Sequence, residues 1–257
     1  MVSFDDWSNE NSKKINGHSL HLIGLREGDD QVAHDRTVAV VPDHYARSAD
    51  VAEILESLGK KAAAKYLRTK LPPKQNLRSG DLGEIFASEY ISEKTEFATP
   101  IRKLWWRDNR NWAMKGDDVI GICPAVESEK IKFLKVEAKS KKEMDEKTVS
   151  KARAALDGDN GLPSPHALSF VSDRLKEIGE IDLSDQVRRA QLLDGISTTQ
   201  VKQMLFTYSA NEPEVLLSAD LNAYGGTISQ SSVGLHMPQH QDFIKAIYRA
   251  IGGDDES

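Results

Sequence analysis

Two carboxylates and a lysine stand in this sequence at positions from which they could do chemistry together. Asp118 heads the apolar run Val119-Ile120-Gly121-Ile122-Cys123, while Glu137 and Lys139 lie in Lys135-Val136-Glu137-Ala138-Lys139. On a strand, alternate side chains share a face, so Glu137 and Lys139 project together, roughly 7 Å apart. Leu134, Val136 and Ala138 then face the opposite way, toward a helix layer. If residues 118–123 and 131–138 pair as a hairpin across the short link from Pro124 to Glu129, Asp118 lands beside Glu137. Two carboxylates about 4–5 Å apart repel by about 3–4 kcal/mol at an effective dielectric near 20. Such a pair calls for a shared proton or a cation. Hard oxygen donors suit Mg²⁺ or Mn²⁺, which retain waters and bind substrate phosphates. The chemistry implied is metal-assisted phosphodiester hydrolysis, with Lys139 orienting or deprotonating the water, or steadying the phosphate. The bland counterpart is a solvated edge-strand ion pair, in a stretch from Lys130 to Lys142 that is rich in charge.

The elements that must hold these groups follow from patterning. Residues 18–25 and 37–41 are β-rich runs around a turn with Gly28-Asp29-Asp30, and 48–70 has helical spacing through Val51, Ile54, Leu55 and Leu58. Leu71-Pro72-Pro73 ends that helix and is the natural boundary between an N-terminal strand/helix subdomain (1–73) and the remainder (74–257). Asp81 to Ile91 is a helix that carries Glu84. A hairpin-like stretch with Trp105, Trp106 and Trp112 precedes strands at 118–123 and 131–138. Helices are expected at 143–156, 165–178 and 184–193, a strand at 201–208 and a shorter one at 214–217. Residues 219–238 read as a polar loop, and 242–251 as a closing helix before the acidic tail 252–257. This order gives an α/β chain with a mixed central sheet flanked by helices and an N-terminal β/α extension.

The pattern Asp118…Glu137-Ala138-Lys139 resembles the active site of the restriction-endonuclease-like, or PD-(D/E)xK, nucleases. That resemblance implies that Asp118 and Glu137 bind the divalent metal, that Lys139 acts on the attacking water, and that Ala138 adds its backbone carbonyl. It also implies a further ligand from the preceding helix, which Gly80-Asp81-Leu82-Gly83-Glu84-Ile85-Phe86 supplies as Glu84. The proline usual before the aspartate is missing and Asp117 stands there, so Asp117 is an alternative ligand. Asp118 is favoured because it abuts the apolar run.

Taken together, the Gly-Asp-Leu-Gly-Glu, Lys-Gly-Asp-Asp-Val-Ile-Gly and Val-Glu-Ala-Lys-Ser segments are similar to the HamA family, the nuclease subunits of the Hachiman anti-phage defence system. The resemblance implies a DNA-degrading effector, paired as a heterodimer with HamB, a superfamily 2 helicase, and held inactive until that helicase engages aberrant DNA. A non-catalytic adaptor on a degenerate nuclease fold is the alternative from another class. An RNA substrate also remains open, since metal-assisted hydrolysis does not choose the sugar.

Other features carry less. His236 and His240 are four apart but separated by Pro238 in an expected loop, which argues against a shared metal; His18 and His21 fall on opposite sides of a strand. Trp105, Trp106 and Trp112, interleaved with Arg102, Lys103, Arg107 and Arg110, are equally readable as base-stacking residues, as a twisted hairpin with one buried side, or as a partner interface. Lys141 and Lys142 are candidates for a DNA backbone track or an ordinary turn. Gly225-Gly226 lacks the Gly-Lys-Ser/Thr ending of a phosphate loop, and no Gly-x-Ser-x-Gly elbow is legible.

Composition sets outer limits. The 257 residues include 34 Lys and Arg against 40 Asp and Glu, a net charge of −6. That balance counts mildly against a stand-alone nucleic-acid binder, but metal-holding carboxylates themselves count as acidic. The single cysteine, Cys123, excludes an intrachain disulfide and a multi-thiolate zinc site, and fits a reducing cytosol. The start Met-Val-Ser-Phe-Asp-Asp-Trp lacks the apolar core of a signal peptide, and no run is long enough to span a bilayer, so a cytoplasmic protein without a membrane partner is expected.

Overall fold

A computed structural model describes residues 1–252 apart from 115 and 128. Six strands form one mixed sheet: β1 (Ser8–Ile15), β2 (His18–Leu25), β3 (Val119–Cys123), β4 (Lys132–Lys141), β5 (Val201–Ser209) and β6 (Ser229–His236). Their order is β1-β2-β6-β5-β4-β3, parallel through β2, β6, β5 and β4, with antiparallel β1 and β3 at the two edges. The expected α/β class with a mixed, helix-flanked sheet is what forms. The two N-terminal strands belong to this same sheet, because β2 pairs along β6 from Ser19↔Ser231 to Gly24↔His236.

Helices α1 (Asp30–Tyr45), α2 (Ser48–Leu58), α3 (Lys60–Lys70), α4 (Gln75–Lys94) and α9 (His240–Gly252) come from both ends of the chain. Between them lie α5 (Glu146–Asp157), α6 (Pro165–Glu177), α7 (Ile181–Arg189) and α8 (Glu214–Ala223). On one sheet face, Leu134, Val136, Ala138, Phe206 and Val233 pack with Leu82, Ile85 and Phe86 of α4 and Ile244 and Ile247 of α9. On the other face, Phe133 and Val201 meet α6 and α7, while Leu20 and Leu205 meet α5 and α8. The alternation along β4 thus sends even-numbered residues to α4, as its parity predicts.

Several elements depart from the sequence reading. Residues 37–41, Thr-Val-Ala-Val-Val, lie inside α1, where Thr37, Val40 and Val41 are buried. Packing overrides the β preference of branched side chains, which is weak and context-dependent. The 48–70 helix is two helices, broken at Gly59 with φ +82°. The stretch with the tryptophans is no hairpin: Lys103–Trp106 is a single 3₁₀ turn. Residues 214–217 begin a helix rather than a strand, and 229–236 within the expected loop form β6. β6 hides because its polarity is internal. Gln230 is 2% exposed and is satisfied by Arg153 (2.6 Å), Gln203 (2.8 Å) and the Ile228 carbonyl (2.9 Å). No helix among the described residues is long and apolar enough to cross a membrane.

Candidate active site

The hairpin that brings Asp118 to Glu137 forms. β3 and β4 pair antiparallel with Val119 opposite Val136, so the next step of the ladder sets Asp118 opposite Glu137. Asp118 is fastened by the backbone N–H of Ala138, which donates to its Oδ2 at 2.9 Å. The Lys139 ammonium sits in the middle of this group. It bonds Glu137 Oε1, lies 3.6 Å from Asp118 Oδ2 and donates to the Ala138 carbonyl at 3.1 Å. All three charged side chains are mostly buried, with 29% of Lys139, 17% of Asp118 and 14% of Glu137 exposed.

Glu84 comes from α4, on the opposite face of the sheet. That helix can approach β4 closely because it presents Gly83 there: a methyl group at Gly83 would lie 3.0 Å from Ser140 Cβ. Glu84, Asp117 and Asp118 line a common cleft of about 870 Å³, bounded by α4, the tryptophan segment and α6. Glu137 and Lys139 are not part of its wall. Burial, and then the neighbouring Asp118, push both Glu84 and Glu137 well above the usual carboxylate range. Burial disfavours the charge on Lys139, but Asp118 and Glu137 beside it more than offset this and raise its pKa. Such perturbed clusters are where sites are commonly found.

Asp117 is employed differently. Its Oδ2 accepts the backbone N–H of Ser164 at 2.8 Å, its Oδ1 lies 3.8 Å from Lys135 Nζ, and its carbonyl accepts from Lys103 at 3.0 Å. Ser164 is the N-cap of α6, its hydroxyl accepting from Ala167 N at 3.2 Å with Pro165 in the first turn. Asp117 therefore ties the head of β3 to α6, and Asp118 is the aspartate that faces Glu137 and Lys139.

The donor chemistry fits a hard divalent cation. Glu137 Oε1, Asp118 Oδ2 and the Ala138 carbonyl are all oxygens and already surround one cation, the Lys139 ammonium. Among the described residues no three His, Cys, Asp or Glu side chains are gathered at one point. Asp118 and Glu137 meet across the hairpin, whereas Glu84 shares the cleft wall with Asp118 and does not complete a three-carboxylate cluster with them.

The remaining candidates separate cleanly. His236 bonds the Ala210 carbonyl at 2.9 Å and His240 bonds Ser140 Oγ at 2.9 Å, so they share no site. Lys141 is taken up by Asp145 (2.5 Å) and Thr148 (3.3 Å) at the start of α5, while Lys142 is exposed. Cys123 is a free, partly buried thiol.

Three buried supports escaped the sequence reading. Lys135, only 2% exposed, donates to the Gly158 carbonyl at 2.7 Å. Asp81 holds Arg107 in a two-pronged pair and accepts from Tyr45 OH at 2.5 Å. His44 of α1 bonds Glu89 of α4 at 2.8 Å. Only Lys135 left a sequence signal: it shares strand parity with Glu137 and Lys139 yet sits amid Phe133, Leu134 and Val136.

Known proteins share much of this chain. A curated relative, the Hachiman protein HamA of Bacillus cereus, is 27% identical over 195 residues, which is 75% of this chain and 68% of that protein. The family model described as HamA matches residues 1–251, a span that contains every element of the site, and the chain belongs to the HamA family.

Proposed function

We propose that this chain is a divalent-metal-dependent nuclease, the DNA-cutting effector of a Hachiman anti-phage defence system. One observation carries the reading: Asp118, Glu137 and the Ala138 carbonyl, drawn from two strands, converge on a single cation, with Lys139 supplying that charge. An isolated acid pair has no structural need for such an arrangement, and its burial costs charge stabilisation that a surface pair would keep.

In this reading Glu84, Asp118, Glu137 and the Ala138 carbonyl hold Mg²⁺ or Mn²⁺, which supplies an activated water and offsets charge developing on the scissile phosphate. The chain's own part is positional. The Ala138 N–H fixes the Asp118 carboxylate, and β4 pairing fixes Glu137 opposite it. Lys139, released from between them, orients the water or takes its proton. Ser164 and Lys135 hold Asp117 and with it the head of β3. The family relationship also brings the expectation of a superfamily 2 helicase partner that restrains the nuclease, in a cytoplasmic complex.

Purified protein with plasmid DNA and Mg²⁺ or Mn²⁺, alone and with the co-encoded helicase, tests the reading. Cleavage that disappears in Glu137→Ala/Lys139→Ala supports it, and parental cleavage by that double variant sinks it. A second reading, a non-catalytic regulatory subunit, is favoured by the lack of a preassembled three-ligand cluster among the described residues. It predicts protection against phage that survives the double substitution.

A further inference from the structure

The cleft that reaches Asp118 carries more than carboxylates. Trp105, Trp106, Trp112 and Phe170 all line it. Trp105 and Trp106 pack together, Trp106 meets the edge of Phe170, and the Arg174 guanidinium lies over Trp106 at 5.5 Å. Trp112 has no aromatic partner among the described residues and is 70% exposed. A free indole in a cleft wall is a stacking surface without a stack.

The same wall holds two unmet donors. Arg107 Nε and Arg174 Nε are buried and have no hydrogen-bond partner among the described residues. The Arg107 side chain is only 4% exposed. Buried N–H groups in folded proteins are nearly always satisfied, so two orphans beside one cleft mark a wall whose hydrogen bonding is incomplete. Asp81 neutralises Arg107, and Glu177 pairs with one end of Arg174. What is lacking is therefore acceptor oxygen more than net negative charge.

A basic approach leads to this wall. Helix α3 reads Lys-Lys-Ala-Ala-Ala-Lys-Tyr-Leu-Arg-Thr-Lys, without an acid. Lys61, Lys65 and Arg68, spaced i, i+4, i+7, share one face and are exposed. Lys70 at the end of α3 lines the cleft. Arg110 of the tryptophan segment donates to the Arg68 carbonyl at 2.8 Å, which joins ridge and cleft. This cationic ridge stands on a chain whose net charge is −6.

We propose that the α3 ridge and this cleft form the entry track for an unpaired nucleic-acid strand, with a base stacked on Trp112 and phosphates met by Arg174 and α3. The proposal rests on the nuclease reading for the fate of the strand, but its binding step needs neither metal nor cleavage. A paired strand suits the wall poorly, because a duplex shows base edges in its grooves and keeps base faces stacked. An indole gains only from an unstacked base.

The test is anisotropy of a fluorescein-labelled oligothymidylate, twelve nucleotides long, against a duplex of equal length. Full-length protein is used in EDTA, with thermal melts confirming each variant is folded. Trp112→Ala is expected to weaken oligothymidylate binding by about five-fold or more and to leave duplex binding nearly unchanged, while Trp112→Phe retains most of the affinity. Arg174→Gln and Lys61→Gln/Lys65→Gln are expected to flatten the salt dependence by about 0.7 in log–log slope for each phosphate no longer neutralised. Duplex bound as tightly as the single strand, unchanged binding by Trp112→Ala, or equal competition by poly-glutamate would each overturn the proposal. The two readings fail separately. A chain that binds through Trp112 yet never cuts with metal and helicase loses the nuclease reading alone. One that cuts plasmid while Trp112→Ala binds oligothymidylate normally loses the track alone.

Discussion

Lys135 and Lys139 stand four residues apart on one face of β4, and the structure uses them in opposite ways. Lys135 is buried at 2%, donates to the Gly158 carbonyl and faces Asp117, which in turn holds the N-cap of α6. Lys139 is partly open and sits among Glu137, Asp118 and the Ala138 carbonyl. Both pairings join a lysine to one of two adjacent aspartates. What differs is the cover. Over Lys135 lies the turn 158–164, pinned by Gln203 Nε2, which donates to the Leu156 and Gly161 carbonyls at 2.8 and 2.9 Å. Gly161 has φ +79°, and a methyl group there would strike Ile228 Cδ1 at 2.6 Å, so the turn can close down only on glycine. Lys139 keeps 29% of its side chain exposed. An ion pair sealed under a turn serves architecture, and one whose lysine keeps contact with solvent can still be reached from outside.

The sharpest way to break this contrast is at the open end. Glu137→Ala/Lys139→Ala should lower DNA cleavage by roughly a thousand-fold or more, in line with the loss of a positioned acid–base group, while the melting temperature stays near that of the parent. Plasmid cleavage and a thermal melt on the same samples check both halves.

At the sealed end the effect should move to stability. Lys135→Ala leaves Asp117 buried without its cation and the Gly158 carbonyl without a donor. Removing one partner of a buried pair typically costs about 3–5 kcal/mol. Urea unfolding should show that loss. A Lys135→Ala protein as stable as the parent would mean the sealed pair does no structural work.

A third support holds the end of β4 from the other face and responds to pH. His240 is fully buried, bonds Ser140 Oγ, and burial pushes its pKa down to about 4. The unfolded chain takes up that proton near pH 6.5, and the folded one only near 4. This stability is therefore fully present above pH 6.5 and is lost as pH falls toward 4, by about 3 kcal/mol over the window. Burial lowers His44 as well, with the same sign. Unfolding free energy measured between pH 7 and pH 4 should fall more steeply for the parent than for His240→Gln.

The finest comparison is between the neighbouring aspartates. Asp117→Asn should cost about 1–3 kcal/mol of stability and leave some cleavage, because the amide oxygen can still accept from Ser164 N. Asp118→Asn should do the reverse, with little change in unfolding and most cleavage gone. Equal phenotypes would erase the distinction between anchor and ligand.

Much of the site was legible because it depends on local rules. Strand parity placed Glu137 with Lys139, a short hairpin set Asp118 opposite Glu137, and a helical run carried Glu84. Asp118 could be preferred over Asp117 from its place beside the apolar run, and the Ser164 contact gives the physical reason. The misread elements share a cause. Thr37 to Val41 became helix because α1 buries that face against the core, and Ser229 to His236 became a strand because Gln230 and Ser232 lie inside the protein, where Gln230 is met by Arg153 and Gln203.

By itself, then, the sequence determined the α/β order, the pairing of β3 with β4 and the identity of the acidic residues that meet there, since each follows from spacing along one stretch of chain. Tertiary structure alone decided that the N-terminal strands complete the same sheet, that Asp117 is spent on anchoring the head of α6, and that Trp112 is left open in the wall of the cleft that reaches Asp118. Those outcomes depend on which distant segment covers a group. Burial and desolvation are properties of the packed molecule, and no local pattern of residues encodes them.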